Sequence, residues 1–231
     1  MTGTAVIVGA GPGLGMALAR RFGDAGHPVA LIARTASRLQ DCVATLRHGG
    51  IRAAAYPADV LDADRMRRAL DSAAAELGAI DVLMWAIGPG STTITPAIQV
   101  TPERALAQVA LHVGGAITAT QHILPTMLAR ASGSVLLTTG ASSVVPFGPL
   151  GDVGIAMAGL RNWTLSLRAA VAGSGVHVAA VTIATLIAPG HPDGDPDAIA
   201  ERFFELHRSP EIGEDVIGEL DIVRRLAGSE T

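Results

Sequence analysis

Thr4-Ala5-Val6-Ile7-Val8-Gly9-Ala10-Gly11-Pro12-Gly13-Leu14-Gly15 opens the chain. An apolar β-rich run leads into four glycines within seven positions, and a helical pattern begins at Leu14. The run predicts a strand over 4–9, and the periodic apolar positions beyond it predict a helix over 14–25. Glycines between a strand and a helix permit a tight turn and a close backbone approach. The helix start then presents N–H groups with no helical partner, together with the positive end of the helix dipole. That setting suits a pyrophosphate. Of the overlapping glycine spacings, G-x-x-x-G-x-G on Gly9, Gly13 and Gly15 fits best, and the strand–turn–helix context makes it a dinucleotide turn rather than a merely structural one.

Outward from this stretch the same alternation continues. Further strands read at 29–33, 52–56, 80–86, 134–139 and 176–183, with helices at 36–46, 63–77, 102–129 and 151–172. Most of these strands are continuous apolar runs, as expected where both faces of a sheet are covered. The pattern predicts an α/β fold, a Rossmann-like doubly wound parallel sheet with helices on both faces, in one domain spanning 1–231. Beyond Ile187 the composition changes. Ala188-Pro189-Gly190-His191-Pro192-Asp193-Gly194-Asp195-Pro196 predicts a mobile surface loop. A short helix follows at 197–207, with Ile199, Phe203 and Leu206 on its apolar face, then a last edge strand at 215–220 and a frayed end. Residues 188–212 read as a substrate-loop and small-helix region.

Composition narrows the chemistry. The chain has 231 residues, 49% hydrophobic and 16% charged, with a net charge of −4. It can bury a large core, and it lacks the basic footprint of a nucleic-acid binder. All 17 basic residues are arginine. The absence of lysine excludes Schiff-base chemistry and any lysine-assisted acid. The single Cys42 excludes an internal disulfide and a cysteine-based zinc site, and its place on an amphipathic helix predicts core packing. No apolar run reaches the roughly 20 residues needed to cross a bilayer. The N-terminus has no basic n-region, and Arg20-Arg21 falls inside a helical pattern, so a cytoplasmic protein without membrane partners is the expectation.

The second strand ends Ala33-Arg34-Thr35, where an acid on the ribose would mark an NAD site. No acid is present. Arg34, with Ser37 and Arg38 following, offers donors for a 2′-phosphate, which favours NADP(H) over NAD(H). Asp59-Val60 closes the third strand; Asp59 reads as an acceptor for an adenine amino group or as a helix N-cap.

These residues in this order resemble the short-chain dehydrogenase/reductase family, in its divergent bacterial branch. The resemblance runs through 9–15, Asp59-Val60, Asp81-Val82-Leu83 leading to Gly88, Gly133-Ser134-Val135, Ala158-Gly159 and 176–181. It implies NAD(H) or NADP(H) binding by Gly9, Gly11, Gly13, Leu14, Gly15, Arg34, Ser37, Arg38, Asp59, Val60, Ala86 and Gly88. It also implies carbonyl reduction or alcohol oxidation of a small-molecule substrate, and a homodimer or homotetramer built through helices 102–129 and 151–172. The family's chemistry uses Asn, Ser, Tyr and Lys. Those positions hold His112, Gly140, Val153 and Met157. The family's Asn-Asn-Ala-Gly reads Trp85-Ala86-Ile87-Gly88, and its Pro-Gly after the sixth strand reads Ile183-Ala184.

Around the implied nicotinamide pocket stand His112, Thr138, Thr139, Gly140, Ser142, Ser143 and Asp152. His112 reads as a proton donor or as a core histidine bonded to a carbonyl. Asp152 reads as its hydrogen-bonding partner or as a helix cap. Tyr56 reads as a rim or core aromatic, His27 and His48 as surface groups, His122 and His177 as structural, and His191 and His207 as possible ligand contacts. No set of residues has metal-ligand spacing. Three readings stay open: an NADP(H) oxidoreductase with a non-standard proton donor, a dinucleotide-binding sensor or partner subunit without catalysis, and a non-redox enzyme using the same pocket.

Overall fold

The computed structural model describes residues 2–88 and 93–228. Seven strands, β1 (Thr4–Val8), β2 (Val29–Ala33), β3 (Ala53–Pro57), β4 (Ile80–Trp85), β5 (Gly133–Gly140), β6 (Val176–Ala184) and β7 (Glu214–Gly218), form one sheet in the order β3-β2-β1-β4-β5-β6-β7. Every pairing is parallel. The helices are α1 (Leu14–Asp24), α2 (Ala36–His48), α3 (Ala63–Leu77), α4 (Pro102–Val109), α5 (Gly115–Ala129), α6 (Gly151–Ala170), α7 (Pro196–Arg208) and α8 (Leu220–Gly228). This is the Rossmann-like doubly wound α/β architecture.

Strand alternation sends side chains to two cores. Leu83, Trp85, Val135 and Leu137 pack with the apolar faces of α3, α5 and α6. Val82, Met84 and Leu136 pack with Phe22 of α1, Leu39 of α2 and Phe203 of α7. All nine residues of β6 are buried, as expected for an inner strand covered on both faces. Ile199, Phe203 and Leu206 of α7 are buried, as their spacing predicts.

Three boundaries depart from the sequence-based expectation. The helix expected over 102–129 is α4, one wider π-helical turn over Ala110–Gly114, and α5. Gly115, where α5 resumes, lies close against Trp85, and a Cβ there would sit 2.7 Å from the indole. The last strand is Glu214–Gly218 rather than 215–220. Gly218 has φ +90, and a Cβ there would meet the Ala184 carbonyl oxygen at 2.8 Å, so the chain leaves the sheet on a residue without a side chain. The end expected to fray instead forms α8 as far as Gly228.

The chain runs from β1 outward to β3, then returns to place β4 on the other side of β1. The crevice above this reversal, at the carboxyl ends of β1 and β4, is where an open α/β sheet accepts a ligand.

Candidate functional site

The glycine turn occupies that crevice. Gly9 has φ +93, and a Cβ there would lie 2.6 Å from the Ala86 carbonyl oxygen. A Cβ at Gly15 would meet the Ala10 Cα at 2.8 Å. Gly11 and Gly13 are different: no other described residue lies within 4 Å of their Cβ positions. Gly9 and Gly15 therefore serve the protein's own packing, whereas Gly11 and Gly13 leave space open to a ligand. α1 begins with Gly13 at its N-cap, with no side-chain cap and no acid in its first turn. Its N-terminus is an uncovered positive dipole end.

Two cavities meet here. One, about 210 Å³, is lined by Gly9, Gly11, Arg34, Arg38, Val60 and Leu111 among others. Its neighbour, about 230 Å³, is lined by Gly13, Leu14, Gly15, Thr138 and Ile187 among others. Each falls below the roughly 300 Å³ at which ligand pockets begin. They share Gly9, Gly11, Ala86 and Gly88 and so form one groove across the strand ends.

Arg34 and Arg38 are exposed at the first cavity, and neither is in an ion pair among the described residues. Other arginines do have carboxylate partners: Arg20 with Asp197, Arg161 with Glu214, and Arg202 with Asp215. Of the expected cofactor residues, Ser37 and Asp59 line neither cavity. Asp59 accepts the Leu61 N–H at 3.0 Å, and the α3 N-cap is Asp62, which accepts from Arg65 N. The capping role open to Asp59 thus falls to the aspartate three residues on.

At the other end of the groove, β5 ends in Thr138, Thr139 and Gly140. Thr139 turns its hydroxyl toward Ser143 (3.2 Å) and Thr182 (2.9 Å). Ser142 Oγ lies 3.9 Å from where a Cβ on Gly140 would be. Val153 and Met157, one turn apart on α6, are 2% and 3% exposed.

His112 sits in the π turn, fully buried, and neither ring nitrogen has a hydrogen-bond partner among the described residues. Neither expectation for it holds as a hydrogen-bonding pattern, since it meets no carbonyl and does not meet Asp152. Burial pushes its pKa down to about 4, so the ring is neutral at pH 7. Asp152 is also buried. Desolvation raises its pKa, but the N–H groups of Thr95 and Val153 and the amide of Gln108 outweigh this and hold the carboxyl below its usual range. Asp152 therefore pins the segment that follows β4 onto the start of α6.

The unfolded-state pKa of His112 exceeds the folded one, so the unfolded chain takes up the proton first. The neutral ring's full contribution is present above pH 6.5 and is lost as pH falls toward 4. About 2 kcal/mol of stability should disappear between pH 8 and pH 5 on this account alone. Urea denaturation at both pH values should show His112→Leu losing less stability on acidification than the wild type by about that amount. An equal loss in both proteins would contradict it.

A family model described as short chain dehydrogenase matches residues 3–190. The chain belongs to the short-chain dehydrogenase family. It is 31% identical over 189 residues to the cis-4-hydroxycyclohexanecarboxylate dehydrogenase of Sinomonas cyclohexanicum, which spans 82% of this chain and 73% of that protein. It is 32% identical over 181 residues to the serine 3-dehydrogenase of Agrobacterium fabrum, which spans 78% and 71%. In fold it matches a short-chain dehydrogenase from Streptomyces avermitilis with a TM-score of 0.83 at 25% identity, covering 98% of this chain and 93% of that one. It also matches, with a TM-score of 0.83 at 23% identity over 92% and 93% of the two chains, an NADPH-bound short chain oxidoreductase from Pseudomonas aeruginosa PAO1 containing an atypical catalytic center. Short-chain dehydrogenases are oxidoreductases that bind nicotinamide dinucleotides.

Set in the short-chain dehydrogenase framework, the remaining polar residues lie apart from the groove or are engaged. Tyr56 donates to Glu76 (2.9 Å), and burial with this neighbouring carboxylate pushes its pKa well up. His27 is not a surface group: it is 5% exposed and bonded to the Gly3 carbonyl at 2.8 Å. His207 is not a ligand contact at the groove. Its Nδ1 meets Ser134 Oγ at 2.8 Å, near the opposite end of β5, and its ring packs on Phe22 and His27. His177 is buried against the Ile212 carbonyl, His122 pairs with Asp71, and Cys42 is partly buried against the core. His48 is exposed. The 188–196 loop is internally bonded, with Ala188 N to the Gly194 carbonyl at 3.0 Å and Gly190 N to Asp195 at 2.7 Å. His191 Nδ1 accepts within it from Asp193 N. Among the described residues, no group of three or more His, Cys, Asp or Glu is placed to hold a metal ion, and no helix is long and apolar enough to cross a membrane.

Proposed function

We propose that this short-chain dehydrogenase binds NADP(H) in preference to NAD(H), and that it is an oxidoreductase of a carbonyl/alcohol pair drawing its proton from water rather than from a side chain. The observation that carries the reading is the pair Arg34 and Arg38, exposed and without an ion pair among the described residues, at one end of a groove whose glycine turn is open to a ligand. The glycine turn and the α1 N-terminus would hold the pyrophosphate, Arg34 the 2′-phosphate with Ser37 and Arg38 beside it, and Asp59 and Val60 the adenine side. When bound, the cofactor supplies or accepts the hydride. Thr139 at the end of β5 and Ser142 and Ser143 just beyond it are buried, as are the apolar Val153 and Met157 on α6. His112, buried and neutral at pH 7, has no imidazolium proton to give. The missing general acid is worth about 10²–10⁴ in rate, so slow turnover is expected. The Pseudomonas aeruginosa relative, which combines NADPH with an atypical catalytic center, supports this reading.

The sealed His112 favours a second reading, a dinucleotide-binding partner or sensor without turnover. In either case residues 188–212 would border the substrate: Ile187 lines the groove, and its neighbour Leu186 is 71% exposed. Leu106 on α4 and Ile155 on α6, exposed large apolar residues, support self-association through these helices.

Titration of the purified protein with NADPH and NADH tests the proposal. Saturable NADPH binding at least tenfold tighter than NADH binding is expected, with slow NADPH oxidation on some member of a carbonyl panel. Binding without turnover on any of them would select the second reading, and no binding of either dinucleotide would remove both. Light scattering on the same sample reads the oligomeric state.

A further inference from the structure

Charge is spread unevenly over the loops at the carboxyl ends of the strands. Arg34 follows β2 and Arg38 lies one turn further on, both at one end of the groove. The loops that leave β4, β5 and β6 are different. Residues 86–101 link β4 to α4, residues 141–150 link β5 to α6, and residues 185–190 leave β6. None of them is Asp, Glu, Lys, Arg or His. Since 16% of the chain is charged, composition alone would place about five charges across these stretches.

The three strands are neighbours in the sheet, so their loops emerge side by side at one end of it. The protein holds the loop backbones in place. Gly151 packs directly on Ala97, and Asp152 accepts the Thr95 N–H at 2.9 Å. Gly194 lies against the Leu186 carbonyl, and the Ala188 N–H donates to the Gly194 carbonyl at 3.0 Å. The large apolar side chains are nonetheless left in the open: Ile94, Ile98, Leu186 and Ile187 are all exposed, and Ile187 lines the groove. One exposed leucine is ordinary. Four large aliphatic side chains on uncharged loops at one sheet end mark a place where apolar surface is to be covered. The ionisable residues that next follow these stretches are Glu103, Arg104, Asp152, His191, Asp193 and Asp195. Asp152 is buried and engaged, Asp195 holds the N–H groups of Gly190 and Asp197, and Arg104 on α4 is the one arginine. A substrate carboxylate or phosphate would be desolvated there without a fork of donors to receive it.

We infer that the end of the groove beneath these loops takes an uncharged, apolar ligand, and that the substrate is an alkyl or aryl ketone, or the matching secondary alcohol, without a carboxylate or phosphate. The inference rests on the oxidoreductase reading above and goes further by fixing the substrate class. In the reducing direction the carbonyl carbon takes a hydride from the reduced nicotinamide dinucleotide, and the carbonyl oxygen takes a proton from solvent water. The alcohol and the oxidised dinucleotide leave. Leu186 and Ile187 cover the apolar body of the substrate.

Octan-2-one and 6-oxoheptanoate are methyl ketones of similar length that differ in charge. Each is titrated calorimetrically into the protein alone and into the protein saturated with NADP+, and each is offered as substrate with NADPH. Octan-2-one should bind about 30-fold or more tightly than 6-oxoheptanoate. From butanone to octan-2-one, affinity should rise about two- to fourfold per methylene. Leu186→Arg, at an exposed position, should narrow the preference about tenfold by giving the carboxylate a partner. 6-Oxoheptanoate bound as tightly as octan-2-one would overturn the inference, and Arg104→Ala would then show whether that arginine holds the carboxylate. Binding of neither compound would also overturn it. Reduction of 6-oxoheptanoate as fast as octan-2-one would overturn the inference and leave the oxidoreductase reading standing. Octan-2-one bound selectively but not reduced would overturn the oxidoreductase reading and keep the ligand class.

Discussion

Gly9→Val should abolish dinucleotide binding and destabilise the fold by about 4 kcal/mol or more. The two effects have one origin. Gly9 sits at φ +93, a region that a β-branched residue occupies only under strain. A Cβ there would also stand 2.6 Å from the Ala86 carbonyl oxygen and 2.8 Å from its carbon, backbone atoms that cannot swing aside as a side-chain tip would. Relief requires β1 and β4 to part, and the groove lies across their ends. Gly11→Ala is the informative control. None of the other described residues lies within 4 Å of that Cβ, so urea denaturation should show little change, whereas NADPH titration should show weaker binding. If Gly11→Ala destabilised the fold as much as Gly9→Val, the division of the turn into packing and ligand-facing glycines would be wrong.

The second large effect is expected at Arg34. Arg34→Asp should weaken NADPH binding by about 100-fold or more, through loss of charge-assisted donors to the 2′-phosphate and repulsion from the new carboxylate. NADH binding should improve in the same variant, since a carboxylate at this position accepts from the ribose hydroxyls. Arg34 is exposed and makes no ion pair among the described residues, so the melting temperature should hardly move. Calorimetric titration of both dinucleotides decides it. Parallel changes for NADPH and NADH would show that Arg34 does not discriminate between them.

Much of this molecule is readable locally. The second strand at 29–33 and the helix at 63–77 fall on β2 and α3 as expected, because continuous apolar runs and amphipathic periodicity act within a few residues. The glycine turn is legible for the same reason. What escapes local reading depends on residues distant in the chain. His27 looks like a turn residue, but its burial is made by the Gly3 carbonyl and by His207, 180 positions away. The π turn arises where α4–α5 crosses Trp85, a contact no helical pattern reports. Asp59 and Asp62 are equally plausible caps for α3 by residue type, and only the backbone path selects Asp62. At the reaction end, the positions of Gly140, Val153 and Met157 follow from the family resemblance. The isolation of the His112 ring follows only from the packing around it.

The placement of β1 between β2 and β4 has a consequence for the chain as it is made. A ribosome that has released the first 57 residues has supplied β1, β2 and β3, but one flank of β1 has no neighbour until Ile80–Trp85 emerges. The ends of β4 gain their own outer neighbour only with Gly133–Gly140. The crevice that would take the dinucleotide is therefore absent from the early nascent chain and closes in two stages, separated by some fifty residues of synthesis, each a non-local parallel pairing of the slow-forming kind. In such a fold the binding groove is a record of assembly order, and its floor is laid well before its far wall.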